Sequence, residues 1–131
     1  MIRPLLPALI LLIQFIYQSP LQGDIVDNLS VLFKSANSKE ISKNFSSSVE
    51  LTLNDQEDVY SKAQAEQILR DFFTKNPPAN STVVHLINTN PNYRFGILSL
   101  STKSGKFRVA ISLKKTANAF LITELRIEPD K

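Results

Sequence analysis

From Ser81 to the end of the chain, apolar residues recur at alternate positions rather than every third or fourth. A period of two belongs to strands, whose successive side chains point to opposite faces. Four segments carry it: Ser81–Thr89, Tyr93–Thr102, Lys106–Lys115 and Ala119–Ile127, separated by short turns. Consecutive hairpins of this kind demand an antiparallel sheet, and a second layer to cover its greasy side.

Turn chemistry predicts the register. A two-residue turn at Ser104-Gly105 sets Leu100 opposite Val109 and Leu98 opposite Ile111. A three-residue turn over Thr116–Asn118 sets Val109 opposite Leu125 and Phe107 opposite Ile127. One face then collects Leu98, Leu100, Phe107, Val109, Ile111, Leu113, Leu121, Leu125 and Ile127, with Thr123 as a polar member in the middle. The other collects Phe95, Ile97, Ser99, Ser101, Arg108, Ala110, Ser112, Phe120, Ile122, Glu124 and Arg126. Gly96, mid-strand on the first face, is expected to mark a bulge or bend.

The covering layer comes from the first half of the chain. Asp24 can cap a helix in which Ile25, Val26, Leu29, Leu32, Phe33 and Ala36 form one stripe, and Ser38–Asn44 adds a short helical turn. Val49, Leu51 and Leu53 then alternate with Glu50 and Thr52 as a strand, Asn54-Asp55-Gln56-Glu57 is turn chemistry, and Val59-Tyr60 makes a brief second strand. Ser61 and Gln64 form a capping box ahead of the stripe Ala65, Ile68, Leu69, Phe72 and Phe73, and Asn76-Pro77-Pro78 ends that helix. The fold class expected is α+β: amino-terminal helices packed in the hollow of a bent, mostly antiparallel sheet, as one domain over Asp24–Lys131.

Ahead of that domain, Met1–Gly23 reads as a secretory signal. Arg3 precedes an apolar run from Leu5 to Tyr17, followed by Ser19, Pro20 and Gly23 near the expected cut. The run is shorter than the about 20 residues a spanning helix needs. Export to the periplasm or beyond is therefore expected, with no membrane association after cleavage; an uncleaved anchor is the competing reading. Asn28, Asn44 and Asn80 sit in Asn-x-Ser/Thr acceptors, meaningful only on a eukaryotic secretory route and otherwise chance.

Composition removes several chemistries. With no cysteine there is no disulfide, thiol nucleophile or thiolate metal site, and one histidine excludes a zinc site built mainly from imidazoles. A net charge of +3 is too small for a nucleic-acid binder. No glycine-rich phosphate cradle and no Gly-x-Ser-x-Gly elbow are present, so no cofactor is implied.

The run Tyr60-Ser61-Lys62-Ala63-Gln64-Ala65-Glu66, continuing through Leu69, Phe72, Phe73, Asn76 and Pro77, resembles the central motif of a family of small exported Bacteroidetes proteins known only as a domain of unknown function. Gly96, Leu98, Thr102–Gly105, Phe107-Arg108 and Glu124–Glu128 match its pattern as well. The resemblance implies a nuclear-transport-factor-2-like cone, shared with ketosteroid isomerases and SnoaL-type cyclases. It brings no activity and no catalytic residue.

Two sites stand out on the second face. Phe95, Ile97, Phe120 and Ile122 form an apolar patch that the helices are not expected to cover, a surface suited to a second copy in a homodimer unless a loop or the amino-terminal segment lies over it. Arg108, Glu124, Arg126 and Glu128 form a cluster able to grip an anion or to pair among themselves. His85, flanked by Val84 and Leu86, reads as a packed or solvent-facing sheet residue. The function expected is a non-enzymatic binding or interaction module, enclosing a small apolar ligand or presenting its outer sheet. The alternative is a small cyclase- or isomerase-like enzyme working with rim residues such as Tyr60, Arg94 or Asp58.

Overall fold

The computed structural model describes residues 24–131; the expected signal segment Met1–Gly23 lies outside the described residues. Helices α1 (Ile25–Lys34) and α2 (Ser38–Ser42) lead into strands β1 (Phe45–Leu53) and β2 (Gln56–Ser61), then helix α3 (Lys62–Lys75). Strands β3 (Pro78–Ile87), β4 (Tyr93–Thr102), β5 (Gly105–Thr116) and β6 (Ala119–Pro129) complete the chain. The fold is α+β, as expected.

Local chemistry sets the helix ends. Asp24 and Asp27 form a capping box on α1, and Ser61 and Gln64 form the expected one on α3. Ala36 does not continue the α1 stripe. It adopts φ 57°, and its N–H and that of Asn37 reach back to the carbonyls of Phe33 and Leu32, a Schellman stop built on alanine where glycine is usual.

One six-stranded sheet runs in the order β2-β1-β6-β5-β4-β3, and every neighbour is antiparallel except β1 with β6. That parallel contact joins the first hairpin to the carboxy-terminal meander. Helix α1 lies over β3 and β4, and α3 lies over β1 and β2. The buried face carries Leu98, Leu100, Phe107, Val109, Ile111, Leu113, Leu125 and Ile127 against Val26, Leu29, Phe33, Leu69, Phe72 and Phe73. Rings of Phe33, Phe73, Phe72 and Phe107 meet edge-to-face in succession, 5.0–5.7 Å between centroids. The odd-numbered residues of β5 thus look inward, and Arg108 and Arg126 look out.

Three details differ from expectation. The β4–β5 turn is Lys103-Ser104, so Leu100 faces Phe107 and Leu98 faces Val109, two residues from the expected register. Gly105, at φ +130°, takes a backbone conformation that favours glycine as the first residue of β5, just past the turn. An even slip keeps each side chain on its face. The β5–β6 turn is likewise two residues, Ala117-Asn118, so Leu113 faces Ile122 and Lys115 faces Phe120. A bulge at Thr123 then restores parity, so that Val109 faces Ile127. In consequence Ile122 and Phe120 lie on the inner side, and Leu121, opposite Lys114, does not. Gly96 marks a close approach to α1 rather than a bulge: a Cβ there would sit 2.5 Å from Val26 Cγ1. The β3–β4 pair bulges at Ala79 and Val84 instead.

Candidate functional site

The outer face is a grid set by strand pairing. One row runs Ile87, Phe95, Ser112, Glu124, Glu50; the next runs His85, Ile97, Ala110, Arg126, Thr52; the third runs Thr82, Ser99, Arg108, Glu128. Ala110 is the small member at the middle of the grid. Around it the face sinks into a basin of about 250 Å³ lined by Phe95, Ile97, Arg108, Ala110, Ser112, Glu124, Arg126 and Glu128.

The basin therefore unites all of the expected charged cluster with half of the expected apolar patch. Phe95 and Ile97 form its floor, and Ile97 is only 7% exposed although no helix covers it. The other half of the patch is corrected: Ile122 is fully buried against the helices, in register with Phe45, and Phe120 packs on the core's edge. Had the β5–β6 hairpin closed with three residues, both would have faced outward.

Charges in the basin are unevenly engaged. Arg126 Nη1 lies 3.3 Å from Glu128 Oε2. Among the described residues neither Arg108 nor Glu124 forms an ion pair. Beyond Glu124, carboxylates crowd. Glu50, on the parallel strand, has its pKa raised above the ordinary glutamate value, chiefly because its carboxyl shares a hydrogen bond with Glu57. The charges of Glu57 and Glu124 and partial burial add to this, against Arg126. Beside them the Thr52 hydroxyl is buried without a hydrogen-bond partner. Glu50, Glu57 and Thr52 escape a sequence reading of the site because a parallel pairing between β1 and β6 leaves no turn signal.

The rim residues are otherwise occupied or apart. Arg94 Nε donates to Asp24 Oδ2 at 3.0 Å, its Nη1 donates to the Asn90 carbonyl at 2.9 Å, and its guanidinium stacks 4.5 Å from the Phe120 ring centroid. The Asp24 carboxylate also accepts from Val26 N, so one residue caps α1 and anchors Arg94. Asp58 is exposed, accepting from Val59 N. Tyr60 borders a shallow depression with Leu51, Leu53, Gln56 and Ile68 on the helix side of the sheet. A neighbouring one adds Asn54, Asp71, Phe72, Lys75 and Asn76. His85 is exposed, edge-on to Phe95 at 6.4 Å. Among the described residues no group of three His, Cys, Asp or Glu is placed to hold a metal ion, and no helix is long and apolar enough to cross a membrane.

Comparison with known proteins agrees with this architecture. A DUF4783 family protein from Bacteroides ovatus is 32% identical, with a TM-score of 0.75, covering 79% of this chain and 93% of its own. Another from Bacteroides uniformis is 26% identical, with a TM-score of 0.78 over 82% of this chain and 99% of that one. An NTF-2-like protein of unknown function from Silicibacter pomeroyi is 6% identical, with a TM-score of 0.60 over 80% and 89% of the two chains; this likeness shows the nuclear-transport-factor-2-like fold alone. No curated protein matches. Residues 26–128 match the family described as a domain of unknown function, DUF4783, and with the Bacteroides likenesses this shows that the chain belongs to the DUF4783 family.

Proposed function

We propose that this protein is an exported, non-enzymatic binding module whose working surface is the outer face of its sheet. The observation that carries the reading is the basin around Ala110, where an apolar floor meets the uncommitted charges of Arg108 and Glu124. Binding sites are concave, mostly apolar at the base, with a few polar groups that orient the ligand. The helix side supports the same reading: among the described residues its buried layer carries hydrocarbon and a few serines but no ionisable side chain, Arg94 is tied to Asp24, and Asp58 lies in solvent. Acid–base catalysis wants a desolvated ionisable group instead.

A twofold contact through the same face is the second reading. It is favoured by exposed Ile87, which extends Phe95 along its row. The small apolar ligand expected from the sequence would enter beside Tyr60 and Ile68, a shallower place. An NMR screen of the purified protein with small amphipathic compounds tests the reading. Shifts should concentrate at Phe95, Ile97, Arg108 and Ala110; shifts confined to Leu53, Tyr60, Ile68 and Phe72 would overturn it. Sedimentation equilibrium detects the dimer, which Phe95→Glu should dissociate.

A further inference from the structure

We propose that the basin takes a short zwitterionic peptide lying along β5 and β6, with its terminal carboxylate at Arg108, its terminal ammonium at Glu124, and an apolar side chain on Phe95, Ile97 and Ala110. This deepens the reading of the outer face as a binding surface and rests on it.

Three observations converge. First, the two ionic groups that line the basin without an internal partner carry opposite signs. A purely apolar occupant would desolvate both without compensation. An anion alone would leave Glu124 unanswered, and a cation alone would leave Arg108 so.

Second, the charges are sorted by position. Arg108 shares its row with Glu128, whose carboxylate pairs with Arg126 of the middle row, whereas Glu124 and Glu50 share the opposite row, with Glu57 diagonal to Glu50. The site is dipolar, so the ligand it favours is dipolar in the opposite sense. A guanidinium is suited to a carboxylate because its planar fork matches both oxygens.

Third, the separation suits a peptide better than a free amino acid. Glu124 lies opposite Ser112, four residues along β5 from Arg108. At about 3.3 Å per residue along β5 and about 4.8 Å across to β6, the two backbone positions are roughly 14 Å apart. An extended tripeptide spans about 10 Å, and the two side chains reach inward over the remainder. Ala110, midway, leaves room for the central side chain. Strands β4, β5 and β6 are paired on both sides, so recognition runs through side chains and not through strand addition.

The test is an NMR titration of the purified protein with alanyl-leucyl-alanine, its N-acetylated form and its C-terminal amide. The free peptide should shift basin resonances, and each cap should weaken binding about tenfold, the loss of one charge-assisted contact. Arg108→Gln should abolish the sensitivity to amidation while keeping that to acetylation, and Glu124→Gln should do the reverse. Both side chains point away from the core, so both variants keep the fold. Equal binding of capped and free peptides overturns the proposal, as does a peptide site elsewhere. Sedimentation showing a second copy over the face that peptide does not displace overturns it too. If amphipathic compounds occupy the basin while the tripeptide does not, the peptide assignment alone fails; if neither binds there, the outer-face reading fails with it.

Discussion

Gly96 and Val26 touch so closely that glycine is required where they meet. A Cβ on Gly96 would lie 2.5 Å from Val26 Cγ1 and 3.0 Å from its Cγ2, with Val26 fully buried on α1. Valine is stiff at χ1 and cannot swing its methyls aside. Gly96→Ala should therefore destabilise the protein by about 1–3 kcal/mol, the range for overpacking. Val26→Ala in the same chain should recover part of that loss. A denaturant melt of both singles and the double shows the coupling, and additive losses would mean that α1 shifts away freely.

The Phe72 ring holds α3 to the sheet. It is 4% exposed and meets Phe73 and Phe107 edge-to-face at 5.7 and 5.0 Å. Phe72→Ala removes both contacts and leaves a cavity, at a cost of about 3–5 kcal/mol. A loss below about 1 kcal/mol in urea would show that α3 is not docked through this ring.

How far these contacts were legible depends on how local their causes are. The Ser61–Gln64 capping box is written within four residues, and the structure has it as read. The inward set on β5 was equally plain, because alternation is counted along one strand. Hairpin closure is not: whether two residues or three close the turn at Ala117-Asn118 decides on which side of the sheet Phe120 and Ile122 both lie. The Thr123 bulge returns Leu125 and Ile127 to the expected face, so alternation at the end of β6 does not reveal which closure is used. Least legible was the acidic margin of the basin, since Glu50 meets Glu124 only through strands far apart in sequence.

Thr52 illustrates the cost of that margin. Its hydroxyl is buried on the outer face between Glu57 and Arg126, whose charged groups engage Glu50 and Glu128, and it bonds to nothing. An unsatisfied buried hydroxyl costs about 1–3 kcal/mol. Thr52→Val removes the oxygen, keeps the branched shape and suits a strand. It should raise stability by about 1 kcal/mol, read as a higher urea midpoint at unchanged slope. A lower midpoint would mean that the hydroxyl has a partner in solution.

The Glu50–Glu57 contact makes stability depend on pH with a definite sign. The Glu50 carboxyl is raised in the folded chain, first by its hydrogen bond to Glu57 and then by the charges of Glu57 and Glu124. Just above the ordinary glutamate value of about 4.3, the folded protein holds a proton that the unfolded chain has released. Stability contributed by the shared proton is complete below that window and is lost as pH rises through it. Above it, neighbouring carboxylates repel. Glu50→Gln keeps the hydrogen bond to Glu57 without the charge, so at pH 7 the variant should melt at a higher temperature than the parent. That advantage should shrink as the pH is lowered towards 4, where the parent carries its own proton. Thermal melts of both proteins across this range measure it, and a variant less stable than the parent at pH 7 would show that Glu50 is held by an attractive partner instead.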